Sequence, residues 1–343
     1  MTQPTGKRVV VAMSGGVDSS TAAALLQDQG HEVIGMTMRL ADNGSGAIES
    51  ARQVCTMLGI EHHVVDFREL FAREIIDYFS REYSAGRTPN PCVMCNRLIK
   101  FGALWEKAAA FGAENLATGH YARTEVVGND VLLKKGLDAN KDQSYFLCRL
   151  SAEQLKHTVF PLGGLTKVKV KQIAKEKGLP AASRPESQDI CFVPDIERAS
   201  EPGPVIDRRG KVLGEHQGIA AYTVGQRHGL GIAAAEPLYV TALEPERNTV
   251  VVGTKDDTYD RDLIAAEVSW ISGKMPTGAN DLKAKVRYRH GEAPVTLSKI
   301  DDGHYYVKFT APQMAITPGQ TVAFYDGDTV LGGGTILKQG ERL

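Results

Sequence analysis

Three short runs concentrate the residues able to do chemistry. The first is Ser14-Gly15-Gly16-Val17-Asp18-Ser19-Ser20. It follows the apolar run 9–13 and precedes an Ala- and Leu-rich segment, so a strand ends in a glycine turn that opens a helix. That order gathers unpaired backbone N–H groups and the positive end of a helix dipole at one point. Two glycines let an anion approach the backbone closely, and Ser14, Ser19 and Ser20 add hydroxyl donors. Asp18 is out of place in a pure anion cradle but fits if Mg²⁺ accompanies the phosphates. The second run is Thr88-Pro89-Asn90-Pro91-Cys92-Val93-Met94-Cys95-Asn96. Asn90 is a good N-cap and Pro91 a good first helical residue, which puts Cys92 and Cys95 on one face of a first turn. A helix N-terminus favours thiolate, hence a nucleophile or a metal ligand. The third run, Ser187-Gln188-Asp189-Ile190-Cys191-Phe192, sets a cysteine in a polar loop, where an accessible sulfur can exchange partners. Cys55 and Cys148 sit in apolar settings and read as packing residues.

The elements that must position these runs alternate over the first ~125 residues, as expected of a parallel sheet with helices on both faces. Strands are expected at 9–13, 32–38, 61–66 and 115–119, and helices at 20–29, 47–58, 69–82 and 91–111. Ligands of open parallel sheets bind beyond the carboxyl ends of the strands. That places the glycine turn, Met38 and Thr118-Gly119-His120 at one edge. A further helix is expected at 167–177. The Pro-, Gly- and charge-rich segment from about 183 to 214 reads as loop and linker. Short β-runs beyond Tyr222 (238–243, 249–252, 282–288, 295–300, 305–309, 321–325) predict an all-β C-terminal domain, a small barrel.

The totals narrow the class. With 343 residues the chain has room for two or three domains, and 42% hydrophobic with 24% charged residues is a globular composition. No run approaches the ~18 apolar residues of a membrane helix. The first residues lead into a strand without a secretory pattern, and five sparse cysteines fit a reducing compartment, so a cytoplasmic location is expected. A net charge of −1 gives no support for nucleic-acid binding. The distribution gives more: residues 134–177 hold ten Lys and Arg against four Asp and Glu. Lys283, Lys285, Arg287 and Arg289 alternate with Ala284, Val286 and Tyr288, so on a strand they share one face, either a solvated face or a phosphate-binding stripe.

The glycine turn resembles the PP-loop of the ATP pyrophosphatase superfamily, whose members split ATP to AMP and pyrophosphate while adenylating a substrate oxygen. An ordinary capped strand–helix turn is the plain alternative. No G-x-x-x-x-G-K-[ST] run is present, so a Walker-type site is disfavoured. Taken with TPNPCVMCN, ATGHYAR, GLDANKDQSYFL, SQDICF and GEHQGI…YTVGQRHGLGI, the chain resembles the tRNA 2-thiouridylase (MnmA) family from Val9 to about Gly334.

The resemblance implies a PP-loop (adenine nucleotide alpha hydrolase-like) α/β domain over 1–200, a small central domain over 201–260 and a tRNA-contacting β-barrel over 261–343. It implies ATP-dependent replacement of the C2 oxygen of the wobble uridine, U34, by sulfur. Ala12, Met13, Ser14, Gly15, Gly16, Val17, Asp18, Ser19, Met38 and Gly119 would bind ATP. Cys95 would be the nucleophile and Cys191 the persulfide carrier, the two joining in a disulfide in one version of the chemistry. Asn90, Pro91 and Cys92 would lie near the target base, and His120, Lys141, Asp142, Gln143, Arg287, Tyr288 and Lys338 would contact tRNA. The partners implied are a tRNA and a sulfur donor, a cysteine desulfurase or a sulfur relay protein. Many members carry Asp where this chain has Cys92, so Cys92, Cys95 and Cys191 could instead hold a [4Fe–4S] cluster. The stretch after Arg39 and the shorter stretch between Cys191 and Gly214 also depart from the family pattern. Two further readings are another PP-loop adenylating ligase, which would not need paired cysteines, and a binding module that releases no pyrophosphate.

Overall fold

The computed structural model describes residues 6–42, 45–180, 201–276 and 281–337. Cys191 and Lys338 lie outside the described residues.

The β-branched stretches of the first third form the expected strands. β1 (Arg8–Ala12), β2 (Glu32–Arg39), β3 (Glu61–Asp66), β4 (Asn115–Ala117) and the two-residue β7 (Thr158–Val159) make a parallel sheet in the order β3-β2-β1-β4-β7. Val9, Val10 and Val11 are buried, as a central strand covered on both faces requires. The helices pack on this sheet: α1 (Val17–Asp28), α2 (Ser45–Leu58), α3 (Arg68–Phe71), α4 (Asp77–Ser84), α5 (Pro91–Cys95), α6 (Leu104–Ala110), α7 (Ala152–Lys156) and α8 (Lys167–Glu176). The two helices expected at 69–82 and 91–111 are each interrupted by π-helical turns, at Ala72–Ile76 and Asn96–Ala103. Gln154 Nε2 donates to the carbonyls of Arg97 and Phe101 within the second of them, at 2.8 and 3.1 Å.

A second sheet has the order β10-β11-β8-β9, built from β8 (Gly203–Asp207), β9 (Val212–His216), β10 (Tyr239–Glu244) and β11 (Thr249–Gly253). β8 and β9 correct the reading of 183–214 as loop and linker: from Gly203 onward the chain forms an antiparallel hairpin. The Arg208-Arg209-Gly210 turn closes it, with Asp207 accepting the N–H groups of Arg209 and Lys211. Charge in that stretch marks a turn between two strands, which composition alone does not separate from a linker.

The barrel comprises β12 (Tyr259–Trp270), β13 (Leu282–Lys285), β14 (Ala293–Asp301), β15 (His304–Met314), β16 (Thr321–Asp326) and β17 (Thr329–Leu337), closed by pairing of β12 with β17. A hairpin from the N-terminal half, β5 (Ala122–Val127) and β6 (Asp130–Lys135), is annexed to it through Thr329↔Lys134 and Val330↔Leu133. The basic stripe is corrected too. β13 ends at Lys285, and Arg287 turns inward, its Nη2 donating to the Val224 carbonyl at 2.6 Å and to the Thr317 hydroxyl.

One hydrophobic core spans the sheet and the barrel. Tyr145, Leu147 and Cys148 pack with Ala323, Tyr325 and Val330, and the Tyr145 hydroxyl donates to the Thr321 carbonyl at 2.7 Å. Gly333 permits the contact: a Cβ there would stand 2.5 Å from Cys148 Sγ and 2.9 Å from the Val322 carbonyl. Gly333→Ala is therefore expected to destabilise the protein by about 1–3 kcal/mol, an overpacking cost. Adding Cys148→Ala, which removes the nearest clash, should recover part of that loss in urea melts of the double variant.

Candidate nucleotide and thiol site

At the carboxyl end of β1 the chain enters α1 through Ser14-Gly15-Gly16. Gly15 takes φ +74°, a left-handed conformation that favours glycine, and a Cβ there would sit 2.6 Å from the Ala47 carbonyl. Gly16 is the N-cap of α1 and offers no side-chain cap, so the first-turn N–H groups of α1 have no carbonyl one turn back. The hydroxyls are arranged around them. Ser19 Oγ accepts the Ser14 N–H at 3.2 Å and contacts Ser14 Oγ at 3.2 Å, while Ser20 Oγ donates to the Gly16 carbonyl at 2.8 Å. Ser14 is exposed, Val17 and Ser19 are buried, and Asp18 is half-buried in the first turn. Met13 is fixed to β2 by its N–H to the Met36 carbonyl and by its own carbonyl, which accepts from the Thr37 hydroxyl at 2.9 Å. Ala12 and the half-buried Met38 pack on the core at the same edge.

Gly119 closes the other side. A Cβ at this position would lie 2.8 Å from the Ser19 nitrogen and 2.9 Å from the Asp18 carbonyl carbon. The strand-end turn after β4 thus rests on the first turn of α1, bringing together Gly119 and the glycine turn a hundred residues earlier. His120 follows, its Nδ1 at 2.7 Å from the Thr118 hydroxyl and its ring beside Phe101 and Phe160. Burial, and secondarily the charge of Lys100, push its pKa well below the ordinary imidazole value.

Asp18 does not face solvent as a bare carboxylate. Lys167, at the start of α8, places Nζ 2.7 Å from Oδ1 and 2.8 Å from Oδ2, and the Tyr121 hydroxyl donates to Oδ1 at 2.8 Å. Sequence reasoning missed both residues; the basic cluster over 134–177 was the only signal, and it singled out neither.

The cysteine helix is built as expected. Asn90 Oδ1 accepts the Val93 N–H at 3.4 Å and Pro91 opens the helix. Cys92 is half-buried, and Cys95, 6% exposed, belongs to the core cluster on which Ala12 and Met38 pack. The barrel holds the segment before this helix: the Thr88 N–H donates to the Pro318 carbonyl at 2.8 Å, and Gln320 Nε2 donates to the carbonyls of Thr88 and Pro89 at 2.9 and 3.4 Å. Arg149, buried beside Met94, ties the same region to the barrel through the Glu267 carbonyl and carboxylate at 3.0 and 3.2 Å. Gln320 and Arg149 also escaped the sequence reading. Burial pushes the Cys55 thiol up to about 11 and the Cys148 thiol up to about 12. Among the described residues no group of three His, Cys, Asp or Glu side chains converges as a metal site.

The remaining expected contact residues take different places. Asp142 is buried and organises its own loop, accepting the N–H groups of Gly136 and Ser144 at 2.8 and 3.1 Å. Gln143 pairs with the Tyr121 backbone in both directions, at 2.9 and 3.0 Å. Lys141 is half-buried on the same loop. Tyr288 packs tilted against Phe146 with ring centroids 4.5 Å apart, and Lys285 Nζ stands 5.6 Å over the Tyr288 ring. A separate cleft of about 990 Å³ between the three units, lined by Arg87, Glu244, Asp260, Asp262 and Leu337 among others, contains none of the expected site residues.

A parallel sheet whose first strand runs through a glycine turn into an anion-cradling helix, joined to a small sheet and a closed barrel, defines a nucleotide-handling α/β protein of the PP-loop type. Residues 7–195 match the family model described as the tRNA methyl transferase HUP domain, 192–254 the tRNA methyl transferase PRC-barrel domain and 260–336 the Aminomethyltransferase beta-barrel domain. The tRNA-specific 2-thiouridylase MnmA of Moorella thermoacetica is 49% identical over 95% of this chain and 98% of its own. That of Heliobacterium modesticaldum is 47% identical over 96% and 92%, and that of Geotalea uraniireducens 49% over 96% and 95%. A solved 4-thiouridine synthetase–RNA complex with bound ATP overlaps 55% of this chain and 46% of its own at 20% identity and a TM-score of 0.40, too distant to bear on the site. The chain belongs to the tRNA-specific 2-thiouridylase family.

Two outcomes follow from the geometry. Gly119→Ala drives a methyl against the backbone of the first turn of α1 and should destabilise the protein by about 1–3 kcal/mol, an overpacking cost measured by urea melts. Because folded His120 resists protonation, the unfolded chain binds more protons below about pH 6.5, and stability is lost as pH falls from there toward the depressed folded pKa. His62 and His290, also lowered chiefly by burial, add to the slope. Urea melts from pH 7.5 to 5 should show it, and His120→Gln should flatten it in part.

Proposed function

We propose that this protein catalyses ATP-dependent 2-thiolation of the wobble uridine of tRNA, with ATP cleaved to AMP and pyrophosphate. The observation that carries the reading is a near full-length match to the 2-thiouridylases at 45–49% identity in a chain that keeps both the SGGVDSS turn and the paired cysteines. Ala12 to Ser19, Met38 and Gly119 bind ATP in this reading. The uridine O2 attacks the α-phosphorus, the bond to the β-phosphate oxygen breaks, and pyrophosphate leaves. The first-turn N–H groups that lack a carbonyl one turn back, together with the exposed Ser14 hydroxyl, stabilise the charge that develops on the phosphates.

The Asp18 carboxylate already chelates an ammonium across both oxygens, which fits a cation-holding position for Mg²⁺. Bound there with ATP, the metal would supply charge neutralisation on the phosphates. Cys191 then carries a persulfide: either its outer sulfur attacks C2, AMP departs and Cys95 resolves the adduct by attacking the Cys191 sulfur, or Cys95 attacks the Cys191 sulfur first and the hydrosulfide it frees attacks C2 and expels AMP. In either route the two thiols give up two electrons, which bring the transferred sulfur to the sulfide level, and the Cys95–Cys191 disulfide left behind is reopened by an external thiol reductant. Asn90, Pro91 and Cys92 receive the base. His120, Lys141, Tyr288 and Lys338 serve tRNA, while Asp142, Gln143 and Arg287 act by shaping the surfaces that meet it. The persulfide is renewed by a cysteine desulfurase or a sulfur relay protein. No helix among the described residues is long and apolar enough to cross a membrane.

The test is mass spectrometry of tRNA nucleosides after incubation with ATP, Mg²⁺ and a sulfur source. The expected result is 2-thiouridine with the wild type, and its loss in Cys95→Ser and Cys191→Ser with pyrophosphate release retained. Full thiolation in both serine variants would point to a different adenylating ligase. Product only under anaerobic conditions would move the three cysteines to an iron–sulfur role.

A further inference from the structure

Asn96 directly follows Cys95 and is only 2% exposed. A side-chain amide has two N–H donors and an acceptor oxygen, and buried polar groups of this kind are normally paired. Its Nδ2 donates to the Phe146 carbonyl at 3.0 Å. A carbonyl can only accept, so this contact fixes the amide with its nitrogen toward Phe146 and its oxygen away from it. Oδ1 is buried and has no hydrogen-bond partner among the described residues. An unpaired buried acceptor is costly, and the amide cannot turn to relieve it without giving up the Phe146 contact. The place of this acceptor is informative. The Asn96 N–H donates to the Cys92 carbonyl, so Asn96 lies one turn beyond Cys92 on the same helical face. Phe146, which anchors the amide, packs against Tyr288. Asn96 is thus linked to both Cys92 and Tyr288, the residues assigned above to the target base and to tRNA.

We propose that Asn96 selects uracil at the target position, its Oδ1 accepting the N3–H of the base turned out of its stack. Enzymes that do chemistry on an extruded base read its Watson–Crick edge with hydrogen bonds, and N3 is the central atom of that edge in a pyrimidine. Uracil carries a donor there, beside the C2 that takes sulfur. Cytosine carries a lone pair, and two acceptors facing each other in a buried site leave both unpaired, which is how a site built to hydrogen-bond one substrate rejects its analogue. Because the amide is already anchored through Nδ2, little side-chain freedom is lost when the base arrives. The same contact sets which edge of the ring faces the cysteine helix. This rests on the reading that Asn90, Pro91 and Cys92 receive the target base.

The experiment titrates the full chain with two transcripts of one tRNA, carrying U34 or C34, in the presence of Mg²⁺ and a non-hydrolysable ATP analogue. Wild type is expected to hold the U34 transcript about tenfold or more tighter, the weight of one buried hydrogen bond made or opposed. Asn96→Ser should lose most of that preference by weakening U34 while leaving C34 within about twofold. Asn96→Asp gives up the Nδ2 contact to Phe146 but keeps an acceptor, so it should retain the preference even if it melts earlier in urea. A merely structural Asn96 predicts instead that Asn96→Ser weakens both transcripts equally, and that result overturns the proposal. So does a U34 preference that survives undiminished in Asn96→Ser. If neither variant folds, wild type alone still decides: a protein that forms 2-thiouridine in the U34 transcript yet binds both transcripts equally overturns the proposal. A wild type that forms no 2-thiouridine overturns the functional reading.

Discussion

The buried wall shared by the parallel sheet and the barrel decides where every other part of the molecule can stand. Tyr145, Leu147 and Cys148 come from the N-terminal half, Ala323, Tyr325 and Val330 from the last two strands, and together they form one core. Separating them would expose large side chains worth roughly 1.5–3 kcal/mol each. It would also leave the Tyr145 hydroxyl and the Thr321 carbonyl without each other. The β5–β6 hairpin, drawn onto β17, makes the same joint with backbone hydrogen bonds. With the two halves fixed in this way, the Thr317–Gln320 turn region can grip the backbone of Thr88 and Pro89 just before the cysteine helix. The thiols are thereby positioned by both halves of the protein, not by the sheet alone.

That joint explains the division of labour among the cysteines. Cys148 is spent on packing: it is fully buried, and its raised pKa keeps it a neutral thiol. Cys55 plays the same part between β2 and α2, close under Gly35, where a Cβ would stand 2.5 Å from its sulfur. Cys92 and Cys95 instead lie on the short helix that Asn90 caps, on a segment held from outside by Gln320. Burial alone does not separate the two kinds, since Cys95 is also largely covered. The backbone around each sulfur does.

Much of the frame was legible because its signals are local. The apolar run before the glycine turn, the Asn90-Pro91 cap and the short punctuated runs of the barrel each declare themselves within ten residues. The hairpin of β5 and β6 carries local signals as well, alternation around a Gly128-Asn129 turn. Its partner strand, however, lies some two hundred residues downstream, and no local pattern names a distant partner. Arg287 failed for a related reason. Alternation assigned it to an outer face, but the strand stops at Lys285, and a guanidinium that can reach the Val224 carbonyl goes there. Lys167 was invisible because its role exists only once α8 lies on α1.

These placements share an electrostatic logic that the net charge of −1 conceals. Cations around the nucleotide turn and the hairpin are held by carboxylates rather than displayed. Lys167 sits on Asp18, Lys135 on Glu292 at 2.7 Å, and Arg123 with Lys134 on Asp328 at 2.9 and 3.1 Å. A polyanion meeting such a surface must replace a carboxylate at each contact, so it gains only the difference between two ion pairs. Random nucleic acid, offering phosphates at arbitrary spacing, gains little by that exchange. A ligand whose phosphates arrive with their own metal, or at the spacing the fold has fixed, gains at every point at once. Selectivity for polyanions can therefore reside in a nearly neutral protein, provided its cations are already oriented and only their partners change.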